Sequence, residues 1–230
     1  MMIKHYLKVA FRNLAKYNVQ SIVSILGLAV GFVCFALSTL WIRYEMTYDT
    51  FHEGAERIYL VRAHYAHEPG KISNSTPYPL ADYLQKGNPE IEAMASTSVQ
   101  KVKFRVKDTE KDVVSAAADS VLMNFFNIRV LRGTVNFLKG TNGEIAITEE
   151  FSKRIFGEEE ALGREVEVSG HASKVGAIVS GWSSHSNIPY SILTSARHYT
   201  QWGSANENLF VRIRKGTNGE EFQKKIAALR

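Results

Sequence analysis

Hydrophobic and polar positions follow three successive patterns along the chain. Near the start, Ile3, Tyr6, Leu7, Ala10, Phe11 and Leu14 recur every three to four residues, while Lys4, Lys8, Arg12 and Lys16 lie off that stripe. This spacing predicts an amphipathic helix with a basic face over 1–18. Between Gln20 and Arg43 there is no charged residue, and the apolar run extends from Ile22 to Ile42. At about 1.5 Å per residue such a run is long enough for the ~30 Å hydrocarbon core of a bilayer. It predicts one transmembrane helix over 19–43. From residue 44 onward, short apolar and alternating runs are punctuated by Gly, Pro, Asn and Asp, which predicts a folded domain over 44–230.

Within that domain Arg57–His64 and Val99–Val106 have strand composition, and the polar stretch 107–111 turns the second of them into a short run at Asp112–Ala116, a hairpin. Thr76-Pro77-Tyr78-Pro79 opens a predicted helix that runs through Lys86 and is stopped by Gly87 and Pro89. Further predicted elements are a helix near Ser120–Phe126 and strands at Glu144–Thr148, Glu165–Ser169 and Lys174–Ser180. The last two are joined by a turn over 170–173. Helices follow at Glu149–Phe156, closed by Gly157, and at Gly219–Arg230, where Phe222, Ile226 and Leu229 share a face, with a strand at Asn208–Arg214 between them. The fold class is α+β, without internal repeats.

Charge sharpens the reading of the first segment. Lys4, Lys8, Arg12, Lys16 and Arg43 are the only Lys, Arg, Asp or Glu residues among the first 43, and the remainder carries 23 basic and 23 acidic side chains. The net charge of +5 and pI near 9.2 therefore flank the apolar run rather than coat a folded face, which argues against a nucleic-acid partner. Four cations before the span against Arg43 after it, followed by Glu45 and Asp49, place the N-terminus in the cytoplasm and 44–230 outside. The basic helix is expected to lie on the inner membrane surface with Lys4, Lys8, Arg12 and Lys16 among lipid headgroups, and Trp41 at the outer interface. A straight cytoplasmic extension of the membrane helix is the alternative; Asn13, Asn18 and Gln20 favour a break near Tyr17–Val19. Ala36-Leu37-Ser38 resembles a signal-peptidase site, but a signal core spans only about 7–15 residues and this run continues through Trp41 and Ile42. The single cysteine, Cys34, falls within the span. The outer domain therefore has no intrachain disulfide and rests on its own core.

Ser24, Gly27, Gly31, Cys34 and Ser38 are spaced three or four apart within the span and form one stripe of small residues. Small residues let helices approach closely in lipid, so the stripe predicts partner helices.

Reactive chemistry is sparse. The sequence contains no phosphate-binding loop, dinucleotide turn, nucleophile elbow or paired-cysteine motif, and no catalytic residue, metal or cofactor is expected. His64-x-x-His67-Glu68 lacks a third ligand at recognisable spacing and reads as a solvated polar cluster. Glu158-Glu159-Glu160 reads as a solvated run and Asn74-Ser75-Thr76 as a bare glycosylation tripeptide.

Four stretches carry a resemblance: Tyr6–Leu14, Ile25–Gly31, Glu45–His52 and Glu56–Tyr59. In order and spacing they resemble the opening of MacB/FtsX-like ABC transporter permeases of the Bacteroidetes type. Thr76–Leu80, Asn88–Glu92, Ala146–Glu149, Phe156-Gly157 and Leu162-Gly163 resemble landmarks of that family's periplasmic core domain. The resemblance implies an inner-membrane permease subunit with a two-lobed extracytoplasmic domain: a discontinuous α/β lobe over 45–117 and 196–230, and a smaller β-rich lobe over 118–195. It also implies mechanotransmission, in which a separate P-loop ATPase moves the outer domain through the membrane helices, so that this chain itself hydrolyses no ATP. Family members have further membrane helices after this domain. The expectation is therefore a fragment, a truncated gene or an accessory subunit, whose partners are membrane lipids, the ATPase, and further permease helices or a second permease copy. The competing classes are a single-pass anchored binding protein and an anchored envelope enzyme.

Overall fold

A computed structural model describes residues 2–65, 70–107, 109–182, 186 and 188–229, apart from the side chains of residues 3, 4, 7, 10, 11 and 14. The chain divides into two compact units, one ending at Tyr48 and one beginning at Asp49.

The first unit holds two helices, α1 (Met2–Lys16) and α2 (Asn18–Glu45). They part at Tyr17, whose φ of −110° and ψ of 52° leave the helical region. The Asn18 side chain accepts a hydrogen bond from the Val19 N–H at 2.8 Å, local competition of the kind that makes Asn a helix-boundary residue. α2 has 28 residues, a length of about 42 Å, and none of its side chains is buried. Thr39 donates its hydroxyl to the carbonyl of Phe35, one turn back, so this polar group is satisfied inside an apolar helix.

The second unit contains, in chain order, β1 (Ile58–Leu60), β2 (Ala63–His64), β3 (Ile72–Ser73), β4 (Ser75–Pro77), α3 (Leu80–Gly87), β5 (Ile91–Thr97), β6 (Val99–Val106), β7 (Thr109–Ala118), α4 (Ser120–Phe125), β8 (Val130–Gly133), β9 (Glu144–Thr148), α5 (Glu149–Phe156), β10 (Glu165–Val168), β11 (His171–Val179), β12 (Ile192–Ser195), β13 (Ala205–Ile213) and α6 (Gly219–Ala227).

Two sheets organise these elements, with β2 and β3 forming a separate small ribbon. In the smaller sheet β13 is central: β5 runs antiparallel along one edge, and β1 and β4 share the other. Leu209, Val211 and Ile213 of β13 pack with Leu84 of α3 and Phe222 of α6. The larger sheet closes on itself. β10 pairs with β6 on one side and with β11 on the other, completing the ring β10-β6-β7-β12-β9-β11, with β8 alongside β11. Strands alternate faces, so Ile145 and Ile147 join one cluster with Phe104, Val113 and Val166, while Ala146 between them faces another. Phe151 of α5 meets Phe104 edge-on at 5.0 Å. That other cluster joins sheet to barrel: Ala95 and Phe210 of the sheet, Ala116 and Leu193 of the barrel, and Leu122, Met123 and Phe125 of α4 are buried together.

The expected hairpin is β6–β7, and both of its strands bond into the barrel, β6 to β10 and β7 to β12. The turn expected over 170–173 is tighter: Ser169 and Gly170 both take positive φ, 50° and 83°, forming a two-residue loop that leaves His171 already in β11. Thr76 and Pro77 end β4, and the helix they were expected to open begins at Leu80. The α+β class stands.

Candidate functional site

The second unit opens with residues 49–52 already packed into it. Asp49 adopts φ of 56°, a left-handed conformation that Asp tolerates better than most residues, and its carboxylate accepts a hydrogen bond from the Ser186 hydroxyl. The Asp49 carbonyl also accepts from the His52 N–H at 3.3 Å. The His52 imidazole lies among three rings, with centroids 4.2 Å from Phe51, 4.8 Å from Phe126 and 4.9 Å from Trp182. Burial holds its pKa below the ordinary histidine value, with nearby Asp49 opposing and Arg212 reinforcing that effect, so the ring is uncharged at neutral pH. Phe126 packs edge-on against Phe210 at 5.1 Å, and Trp182 against the buried Tyr190 at 4.9 Å. Arg212 lies 4.4 Å from the Phe125 ring centre and donates to the Phe125 carbonyl.

α4 connects this aromatic cage at its C-terminal end to a charged cluster at its N-terminal end. Asp119 caps the helix by accepting from the Leu122 N–H at 2.7 Å, and its other oxygen contacts His198 Nε2 at 3.1 Å. His198 Nδ1 stands 3.6 Å from Oε1 of Glu207, an ion-pair distance just beyond a direct hydrogen bond, and Glu207 is buried on β13. The Tyr78 ring stacks on the imidazole at 4.0 Å, tilted by 13°. The hydrogen bond to Asp119 and then the contact with Glu207 outweigh burial and raise the His198 pKa to about 9. Burial pushes the Asp119 carboxyl up, but its bonds to His198 and the Leu122 N–H prevail and keep it below the usual carboxylate value. His198 is therefore an imidazolium at neutral pH, held between Asp119 at the end of a barrel strand and Glu207 on a sheet strand.

Beside the aromatic cage lies an open cleft of about 410 Å³. Its floor is one face of the small sheet, where Ile58 and Leu60 of β1 and Phe210 of β13 lie side by side, Leu60 being the register partner of Phe210. Its walls come from Asp49 and His52, from Phe126 after α4, and from Trp182 and Ile188 between β11 and β12.

Residues 21–229 match the MacB-like periplasmic core domain. The chain belongs to this family. Solved structures place the fold in the same company. A domain of a putative permease from Porphyromonas gingivalis superposes with a TM-score of 0.62 at 18% identity, covering 76% of this chain and 83% of that one. The extracellular domain of the noncanonic ABC-type transporter YknZ from Gram-positive bacteria gives 0.51 at 14% identity, with coverage of 73% and 86%. The periplasmic region of MacB from Actinobacillus actinomycetemcomitans gives 0.51 at 12% identity, with coverage of 74% and 79%. No curated protein matches the chain.

In this MacB-like chain the small-residue stripe falls on α2. Ser24, Gly27, Gly31, Cys34 and Ser38 occupy a sector of roughly 80° around the helix at 100° per residue. A Cβ built on Gly27 or Gly31 meets nothing within 4 Å, and Cys34 is exposed. Lys8, Arg12 and Lys16 are exposed on α1, while the Lys4 side chain lies outside the described set. Lys16 Nζ sits 5.5 Å from the Tyr17 ring, and Trp41 is exposed with its ring 6.2 Å from Tyr44. His67 and Glu68 of the polar cluster also lie outside the described residues, among which no three His, Cys, Asp or Glu side chains are gathered to hold a metal ion. Neither the His52 cage nor the His198 cluster was nominated from the sequence. His52 belongs to the Glu45–His52 stretch that carried the resemblance, a signal that located the residue without giving its surroundings.

Proposed function

We propose that this chain is the first membrane helix and extracytoplasmic domain of an ABC transporter permease that works by mechanotransmission. ATP hydrolysis by a separate P-loop ATPase is passed along α2 to move the outer domain during export or extraction of an envelope substrate. The observation that carries this reading is the fastening of residues 49–52. Only Met46, Thr47 and Tyr48 separate the end of α2 from a residue bonded to Ser186, and three residues later His52 is caged by Phe126 and Trp182. A flexible tether would dissipate displacement; a short connection ending in packed rings transmits it. The positive flank of α2 supports an N-terminus in the cytoplasm of an inner-membrane protein, and the stripe from Ser24 to Ser38 supports packing against further permease helices or a second copy. The two-lobe division, 45–117 with 196–230 as one lobe and 118–195 as the other, remains part of the proposal.

The stripe provides the test. Gly27→Leu combined with Gly31→Leu keeps α2 apolar but fills the close-approach face. In native membranes, bismaleimide cross-linking through Cys34 should join the wild-type chain to a partner helix, and the double variant should lose that product along with co-purification of an ATPase. An unchanged cross-link and an unchanged set of partners in the double variant would leave the anchored binding protein as the better reading.

A further inference from the structure

The pentapeptide Gly-Thr-Asn-Gly-Glu occurs twice in the second unit, at 140–144 and at 216–220, and it contains both Asn-Gly steps of the chain. An asparagine followed by glycine is open to attack by the main-chain nitrogen on its own side chain, because glycine has no Cβ to hinder the approach and rotates freely. Since the neighbours are identical, the fold sets any difference in reactivity between Asn142 and Asn218.

Asn218 is held. It caps α6, its side-chain oxygen accepting from the N–H groups of Glu220 at 3.0 Å and Glu221 at 3.4 Å. Gly219 is the first residue of α6, half-buried against Tyr59, whose hydroxyl occupies the place a Cβ would take. Drawing the Asn218 carboxamide onto the Gly219 nitrogen breaks the cap and pulls the first turn of α6 off Tyr59. Asn142 is exposed in the connection leading into β9. Its oxygen accepts from the Glu144 N–H at 3.3 Å and its nitrogen reaches the Asn136 carbonyl at 3.5 Å, both long for hydrogen bonds. The Gly143 N–H makes no hydrogen bond among the described residues, and a Cβ built on Gly143 would meet only the Ala172 carbonyl oxygen, at 3.8 Å. The Lys174 N–H anchors the Gly143 carbonyl, which lies beyond the peptide that has to turn.

We propose that Asn142 converts spontaneously to isoaspartate and aspartate while the domain stays folded, and that α6 shields Asn218 from the same reaction. The deprotonated Gly143 nitrogen attacks Cγ of Asn142. The new N–Cγ bond replaces the Cγ–Nδ2 bond, the main-chain proton leaves with the amide as ammonia, and a five-membered imide remains. Water then opens the ring, at the Cγ carbonyl to give aspartate or at the main-chain carbonyl to give isoaspartate. Either product places a carboxylate at 142. Isoaspartate also adds a methylene to the main chain directly before β9, the strand bonded to both β11 and β12.

Trypsin separates the two sites: cleavage after Lys139, Lys153, Lys215 and Lys224 gives the peptides Gly140–Lys153 and Gly216–Lys224, each with a single asparagine. The full chain is aged in warm, mildly alkaline buffer, folded in detergent micelles and in parallel unfolded in guanidinium. It is then digested in heavy-oxygen water, which marks any conversion that occurs during digestion, and mapped by mass spectrometry, with isoaspartate read by enzymatic methylation. Asn142 should convert about as fast in the folded chain as in the unfolded one, whereas folding should slow Asn218 roughly tenfold, the cost of releasing a helix cap together with its packing. Slowing of Asn142 by folding as much as Asn218, or absence of isoaspartate from Gly140–Lys153 of the folded chain, would overturn the proposal.

Discussion

The two ends of α4 hold a histidine by opposite means. At the N-terminal end His198 is clamped by Asp119 and Glu207, charged, and covered by the Tyr78 ring. At the C-terminal end His52 sits uncharged among Phe51, Phe126 and Trp182. A helix of six residues has little stability of its own, so its position between sheet and barrel depends on what grips its ends. The charged end fixes direction, because ion pairs and caps have defined geometry; the aromatic end fixes depth, because it excludes water over a broad area. The two grips are also built to fail at opposite ends of the pH scale.

The largest effect should come from emptying the aromatic end. Phe126→Ala removes a buried ring that touches His52, Trp182 and Phe210, and should cost about 3–4 kcal/mol, read as a lower urea midpoint for the full chain in detergent micelles. Asp119→Ala at the charged end should cost less, about 2 kcal/mol. It loses a helix cap and leaves an imidazolium with one partner, but Asp119 is partly solvated. If Asp119→Ala proved the more damaging, the charged grip would dominate and the comparison would invert.

The smallest effect is the most diagnostic, because its sign differs at the two ends. The His198 pKa is raised on folding, so its contribution is fully present below about pH 6.5 and is lost as pH rises towards about 9. The His52 pKa is lowered on folding, so its contribution is fully present above about pH 6.5 and is lost as pH falls through its folded value. Urea midpoints measured against pH should fall on both sides of that region. Above the carboxylate range, where Asp119 does not titrate, His198→Gln should flatten only the alkaline limb, and His52→Phe only the acid limb. A variant that flattened both limbs would mean that the two ends are not independent.

Local signals made part of this structure legible. β9 and α5 lie at Glu144–Thr148 and Glu149–Phe156 as read from the sequence, because Ile145 and Ile147 alternate cleanly and Thr148 caps the helix through the Phe151 N–H. The break between α1 and α2 falls at Tyr17, where neighbouring amides disfavour continuation. By contrast β5 and β12 were not read as strands. β5 is rich in Ala and Met and becomes a strand because β13 offers it six register partners. β12 has four residues and lies between β7 and β9, too short to show a period. The His198 cluster was invisible for a different reason. Its partners lie at 78, 119 and 207 in sequence, and only the pairing of sheet and barrel brings them together.

The closed ring also sets a timetable for synthesis. β6 and β7 emerge from the ribosome early, but the strands that flank them in the ring, β10 and β12, arrive some sixty to eighty residues later. β13, the central strand of the other sheet, comes later still, at 205–213, while its neighbour β1 has waited since residue 58. The β6–β7 hairpin can form early, but β1, β4, β5, the free edge of β7 and the free edge of β9 cannot reach their final pairing until β12 and β13, in the last quarter of the chain, are available. Meanwhile the unpaired edges of β6 and β5 remain open to other nascent strands, so this domain should depend on a holding chaperone more than a protein of similar size assembled from neighbouring hairpins.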